Sequence, residues 1–239
     1  MNAAPPISLD PAQRAVVEHG SGALLAVGGP GTGKTHVLEQ RFVVLATGGH
    51  STLGADVSAD RILFLVPNRA QKMALQERLT RRLLLDEALD ALIDVPVYTW
   101  HGLAYHLVSR HYDKLDYSEP PVLLTSPEQW GSIRDALSRE DVVNWPHHKH
   151  LLRNRGFVDE VVDFFIRVGQ RAMDPPELDA LANRQPKWSE LIAFYRRHHA
   201  DLRQRNRVDY PTLMRDAVEL LANYDDVRGA LQRRFKHIL

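Results

Sequence analysis

Ala23-Leu24-Leu25-Ala26-Val27-Gly28-Gly29-Pro30-Gly31-Thr32-Gly33-Lys34-Thr35 is a short, continuous apolar run that breaks into glycines and ends on a lysine and a threonine. A run of this kind followed by glycine predicts a strand buried in a parallel sheet. The amphipathic stretch behind it, Val37 to Ala46, predicts a helix. Between the two, Gly28 to Thr35 satisfies the G-x-x-x-x-G-K-[ST] spacing in a strand-loop-helix setting. Chemistry explains the residue types. In the loop Gly28, Gly29, Pro30, Gly31, Thr32, Gly33 the glycines let backbone N–H groups turn inward around phosphate oxygens, and a helix N-terminus adds partial positive charge. Lys34 reaches the terminal phosphates, and Thr35 offers a hydroxyl to Mg²⁺. The plainer alternative is a glycine-rich turn that happens to precede a helix; spacing, lysine, threonine and setting all argue against it.

Working outward, Arg61 to Val66 repeats the apolar pattern, and Val95 to Thr99 is a third short run whose proline suggests an edge strand or a strand entry. Val37 to Ala46 and Ala70 to Leu85 are the intervening helices, so the expected fold class is α/β, a doubly wound core with a parallel sheet. After Tyr112 the pattern turns helical. Ser126-Pro127-Glu128-Gln129 has an N-cap, a first-turn proline and a capping-box partner in order. Phe157, Val158, Val161, Val162, Phe165 and Val168 share one helical face, as do Trp188, Leu191, Ile192, Tyr195 and Leu202. The expected organisation is residues 1–112 as the first part of the α/β domain, 113–205 as an all-α insertion, and 206–239 as the return. Helices are expected near Thr212 to Ala222 and Val227 to Arg234, and Phe235 to Leu239 reads as the beginning of a strand.

Composition narrows the possibilities. With 239 residues, 44% hydrophobic and 25% charged, the chain is a folded globular protein, and no stretch reaches the apolar length of a membrane span. No cationic, apolar leader follows Met1, so a cytoplasmic location is expected. Thirty basic residues balance thirty acidic ones, so any contact with a polynucleotide must be local. There is no cysteine, which excludes disulfides, thiol catalysis and cysteine zinc sites. ATP with Mg²⁺ is the implied cofactor pair.

Hydrolysis needs more than the loop: a carboxylate for the magnesium shell, usually with an adjacent acid that orients water. Phe157-Val158-Asp159-Glu160 has the right letters but runs into a helical stripe, and reads as a helix start with exposed acids. Leu92-Ile93-Asp94 lacks the second acid and ends a helix. The pair is therefore expected just beyond Leu239.

The order of motifs resembles the front of the superfamily 1A DNA helicases of the UvrD, Rep and PcrA type, more particularly their RecB-like and AdnAB-like relatives. The resemblance runs along the whole chain but rests on four short motifs. It implies a RecA-like ATP-binding domain, conventionally domain 1A, interrupted by a helical domain 1B. Leu9-Asp10-Pro11-Ala12-Gln13-Arg14-Ala15 resembles the family's opening motif, in which a glutamine bonds the adenine edge; Gln13 also fits a capping box with Asp10, and both roles can coexist. Leu65-Val66-Pro67-Asn68-Arg69-Ala70 stands where the family has T-F-T-N-K-A, so Asn68 and Arg69 are implied contacts to single-stranded DNA; Pro67 and Val66 depart from the pattern. Tyr98-Thr99-Trp100-His101-Gly102-Leu103-Ala104 resembles T-F-H-G/S-L-A, making Thr99, Trp100 and His101 candidates for phosphate contact and base stacking, with core packing as the alternative for Trp100. His36 stands where UvrD-type enzymes usually carry an arginine near the base.

The implied activity is an ATP-dependent helicase or translocase acting on single-stranded DNA and ss/ds junctions, 3′ to 5′, in repair or recombination, with a partner helicase-nuclease subunit possible. This chain alone is expected to be inactive. Two alternatives stay open: a non-hydrolysing P-loop module that binds nucleotide and DNA, and an unrelated P-loop ATPase using Asp159 and Glu160. His147, His148 and His150 read as an exposed polar loop rather than a metal site, since no carboxylate is set at ligand spacing. Arg196, Arg197, Arg203, Arg205 and Arg207 read as a solvated face, with phosphate contact as the second possibility.

Overall fold

Asp10, Pro11 and Gln13 start the first helix, α1 (Pro11–Val17), with a complete capping box: the Asp10 carboxylate accepts from the Gln13 backbone N–H, and the Gln13 side chain accepts from that of Asp10. The computed structural model describes residues 9–48, 57–85, 95–171, 173 and 175–239; the Leu92-Ile93-Asp94 helix end falls outside them. α2 (Lys34–Thr47) ends on a left-handed Gly48. β1 (Ile62–Val66) leads into α3 (Arg69–Leu85), and β2 (Val97–Thr99) into α4 (Trp100–Arg110). Val122–Leu123 forms β3, followed by α5 (Ser126–Ser138), α6 (Arg155–Gln170), α7 (Pro175–Arg184) and α8 (Pro186–Gln204). β4 (Arg207–Val208), α9 (Tyr210–Asn223), α10 (Asp225–Arg234) and β5 (His237–Ile238) complete the order.

The chain divides into two compact units, Met1–Trp100 with Gly229–Leu239, and His101–Arg228. The second is wider than the expected insertion of 113–205 because it takes in most of α4 and all of α9. In the first unit the sheet has the order β2-β1-β5, all parallel, with Val66 opposite Thr99 and Ile62 opposite His237. Ile62, Phe64 and Val66 line one face of β1 and join Phe42 and Leu45 of α2 and Leu75, Leu79 and Leu83 of α3 in one cluster. Leu63, which points the other way, is also buried, so both faces of β1 are covered. This is the mixed arrangement of helices and parallel strands expected of an α/β protein.

One expected strand is absent. Ala23 to Val27 has no ladder partner, and Leu25 and Val27 are 85% and 88% exposed. An apolar run becomes a buried strand only when neighbours satisfy its backbone groups and cover its faces. β5 is only two residues long and pairs with β1 alone, and the 23–27 run stays unpaired chain.

In the second unit the α6 stripe is buried as its periodicity demands, with Val161 and Phe165 fully enclosed against Ile133 of α5 and Phe194 and Tyr195 of α8. Two expectations change here. The unit is not wholly helical, since β3 pairs in parallel with β4, Val122 opposite Arg207. The α5 cap is Thr125 rather than Ser126, closing its box with Glu128; Gln129 is buried instead and donates to Asp209 Oδ2 at 2.9 Å. Among the described residues no helix is long and apolar enough to cross a membrane.

Candidate functional site

The 28–35 loop turns on glycines in the left-handed region, Gly31 at φ 78° and Gly33 at φ 80°. Gly33 is the N-cap of α2 and supplies no side-chain acceptor, so the first N–H groups of that 14-residue helix are left open to a ligand. Lys34 bends back into the loop: its Nζ donates to the carbonyls of Gly28 and Gly29, each at 2.7 Å. An ammonium has three N–H groups, so one remains for an anion. The Thr32 hydroxyl donates to the Gly29 carbonyl at 2.9 Å and closes the turn. The Thr35 side chain is exposed.

Gln13 lies against this loop. Its Nε2 donates to the Thr32 carbonyl at 3.2 Å while its Oε1 accepts from Asp10 N–H at 3.1 Å. A primary amide has two N–H groups and two lone pairs, so the cap leaves one of each for a ligand edge. His36 is turned along the helix, its Nε2 at 3.3 Å from Gln40 Nε2. The cleft in front of the loop has a volume of about 930 Å³ and is bordered by Asp10, Gln13, Leu24, Thr32, Lys34, Thr35 and the 236–239 segment. Asp10, its one carboxylate side chain among the described residues, is engaged in the cap. No group of three or more His, Asp or Glu side chains able to hold a metal occurs among the described residues. The Thr35 hydroxyl, beside an ammonium that cannot ligate a metal, suits a cation carried in by phosphate oxygens rather than one held by the protein alone.

A second edge forms where β1 and β2 end side by side. Because Val66 is opposite Thr99, Asn68 and Arg69 on one strand exit and Trp100 on the other leave the sheet at the same level. The Asn68 carbonyl Oδ1 accepts from Gln71 N–H at 2.9 Å and caps α3, while the Arg69 side chain is exposed. Trp100 is 56% exposed, which removes the core reading of that residue. His101, the first residue of the second unit, stacks edge-on with Tyr210 at 5.1 Å between ring centres.

The sequence matches the UvrD/REP helicase N-terminal domain over residues 9–239. The chain belongs to that family. In addition, 107 residues align at 32% identity with DNA helicase IV of Escherichia coli (strain K12), covering 45% of this chain and 14% of that protein. The aligned segment is thus a small part of the relative's length. Membership associates this UvrD/REP-type domain with ATP-dependent DNA helicases.

Two clusters look different in three dimensions. His147 and His148 do have a carboxylate, but it comes from Glu190 on α8: Nδ1 of His147 lies 2.5 Å from Oε1 and Nδ1 of His148 lies 2.9 Å from Oε2, with both backbone N–H groups donating as well. Burial works to raise the Glu190 pKa, and the hydrogen bonds from His147 and His148 outweigh it, leaving it below the ordinary value. The polar loop is therefore anchored, not simply solvated. The arginine run is largely neutralised: Arg196 pairs with Asp179 at 2.8 Å, Arg197 with Glu140 at 2.6 Å, Arg203 with Asp216 at 2.9 Å and Arg205 with Asp201 at 2.9 Å. Asp159 accepts from Trp130 Nε1 at 2.7 Å and Glu160 is exposed on α6, in the unit that does not contain the loop. The acidic pair is not part of the cleft.

Proposed function

We propose that this chain is the ATP-binding amino-terminal part of an ATP-dependent DNA translocase that acts on single-stranded DNA. The observation that carries the reading is the 28–35 loop, in which Lys34 is clamped by two carbonyls with one N–H left over, beside an uncapped helix N-terminus. In this reading Gly28 to Gly33 wrap the phosphates with backbone N–H groups, Lys34 neutralises the terminal phosphate charge, and Gln13 presents its remaining amide donor and acceptor to the adenine edge. Thr35 would hold Mg²⁺ together with the nucleotide's own oxygens, the ion neutralising charge on the phosphates when bound. His36 borders the nucleotide as a neighbour of the loop.

The first unit is then a RecA-like P-loop core and the helical unit a 1B-type insertion. Asn68, Arg69, Thr99 and Trp100, with His101 following, form the single-stranded DNA contact: a base stacks on the exposed indole and phosphates meet the cation and hydroxyl. Movement 3′ to 5′, action at an ss/ds junction in repair or recombination, a cytoplasmic setting and a partner helicase-nuclease subunit belong to the same proposal. Hydrolysis is assigned to the longer protein, since the carboxylates it requires are not in the described cleft.

Titration calorimetry with ATP and Mg²⁺ tests the core of the reading. Binding by the native chain, weakened at least about tenfold (about 1.4 kcal/mol) in Lys34→Ala, is the expected result. An unchanged dissociation constant in the variant overturns it.

A further inference from the structure

α1 is seven residues long and buries only Val17. A helix of this length has no stability of its own and must be tied down from outside. The capping box closes its first turn, but its last carbonyls need donors from elsewhere. Arg41 of α2 supplies them. Its Nη1 lies 3.0 Å from the Val16 carbonyl, 3.0 Å from that of Val17 and 2.7 Å from that of His19. The side chain is only 7% exposed, and among the described residues no carboxylate pairs with it. A guanidinium buried without an acid is costly unless its N–H groups are well used, and here it sits at the negative end of a helix dipole.

Lys34 and Arg41 are seven residues apart on α2, two turns, so both project from one face of the same helix. The helix that presents the lysine thus also clasps the end of α1. At the other end of α1 the Gln13 amide touches the loop, with Nε2 donating to Thr32 and lying 3.3 Å from where a Cβ on Gly33 would stand. α1 is therefore held at two points to the same loop-helix element, by Gln13 at its start and by Arg41 at its end.

We propose that Arg41, which also borders the cleft, acts as a positioning residue for nucleobase recognition: by fixing the end of α1 it aims the Gln13 amide over the loop. The proposal rests on the nucleotide reading above, and its test separates the two. ATP and inorganic tripolyphosphate, both with Mg²⁺, are titrated into the native chain and into Arg41→Met, Arg41→Lys and Gln13→Ala. The preference for ATP over tripolyphosphate should fall about tenfold in Arg41→Met, one contact's worth, with tripolyphosphate affinity nearly unchanged. Gln13→Ala should lower it to the same extent, and the double variant should lose no more than either single one. Arg41→Lys, whose ammonium can still face three carbonyls, should recover much of the preference.

Equal loss on both ligands would make Arg41 a phosphate contact or a general fold support and overturn the proposal. So would an unchanged preference in Arg41→Met, or losses that add in the double variant. Failure of the native chain to bind either ligand would remove the nucleotide reading and this inference together. If Arg41→Met does not fold, Arg41→Lys carries the test with hydrogen exchange of the α1 amides. Preference and α1 protection must then shift together, and a shift in one alone refutes the idea.

Discussion

Replacing Gly33 by alanine probes the loop most directly. Gly33 has φ 80° and ψ 14°, a conformation that costs an L-residue roughly 1 to 2 kcal/mol. The new Cβ would stand 3.3 Å from Gln13 Nε2, close enough to push the amide back and stretch its 3.2 Å bond to the Thr32 carbonyl. That bond is exposed, so its weakening adds about 0.5 kcal/mol, the low end for a neutral hydrogen bond. The total is about 2 kcal/mol, and its place depends on the rigidity of the loop. If the Lys34 bonds to Gly28 and Gly29 keep the loop in shape, the strain is present with or without ligand and appears as lost stability, about 4 to 8 °C in melting temperature. If the loop relaxes, ligand must restore it, and ATP affinity falls about thirtyfold instead. Thermal denaturation and calorimetry on the same variant measure both parts. Gly20→Ala, where a Cβ meets nothing within 4 Å, is the silent control. Losses below about 0.5 kcal/mol in both measurements would refute the reasoning, because the left-handed geometry would then not be required.

Trp100→Ala should lower affinity for single-stranded oligonucleotides by roughly 1 to 3 kcal/mol while leaving ATP binding and circular dichroism unchanged, as suits an exposed stacking surface; fluorescence anisotropy reads the first, and a collapse of the fold would instead restore the core interpretation. The helical unit should be acid-sensitive. Burial lowers the pKa of His198, and burial followed by the charges of His198, Arg215 and Arg203 lowers that of His199 well below its ordinary value. Below about pH 6.5 the unfolded chain therefore takes up protons that the native one refuses, so stability is complete above that pH and declines as pH falls, by at most about 1.4 kcal/mol per pH unit for each histidine. Urea unfolding at pH 7.5 and 5.5 follows this loss, and a midpoint that does not move across the interval would rule it out.

Features that depend on near neighbours were legible in the sequence. The loop is eight residues whose turn is dictated by glycine and whose spacing singles out Lys34 and Thr35, and the structure folds it around that lysine. The capping box links Asp10 and Gln13, three positions apart, and the α6 stripe is a periodicity, so both could be read without any knowledge of the fold. The α5 cap moved by one residue because Thr125 and Ser126 both satisfy the pattern; Thr125 closes the box, and Gln129 is drawn to Asp209 eighty positions away.

Everything that needed a distant partner was left to tertiary structure. Ala23 to Val27 has a strand's composition but no strand to pair with, and a ladder cannot be inferred from one of its rails. Glu190 reaches His147 across 43 positions, and Asp179, Glu140 and Asp216 reach the arginines from other segments, so a row of like charges turned out to be a set of separate ion pairs. The two-residue pairing of β3 with β4 is too short to leave a periodic trace. Arg41 reads in sequence as one more polar position on a helix; only folding brings three carbonyls of α1 and its following turn within reach of one nitrogen. Local chemistry is written in spacing that the chain holds whatever its fold, whereas a contact between remote residues exists only after burial has brought them together.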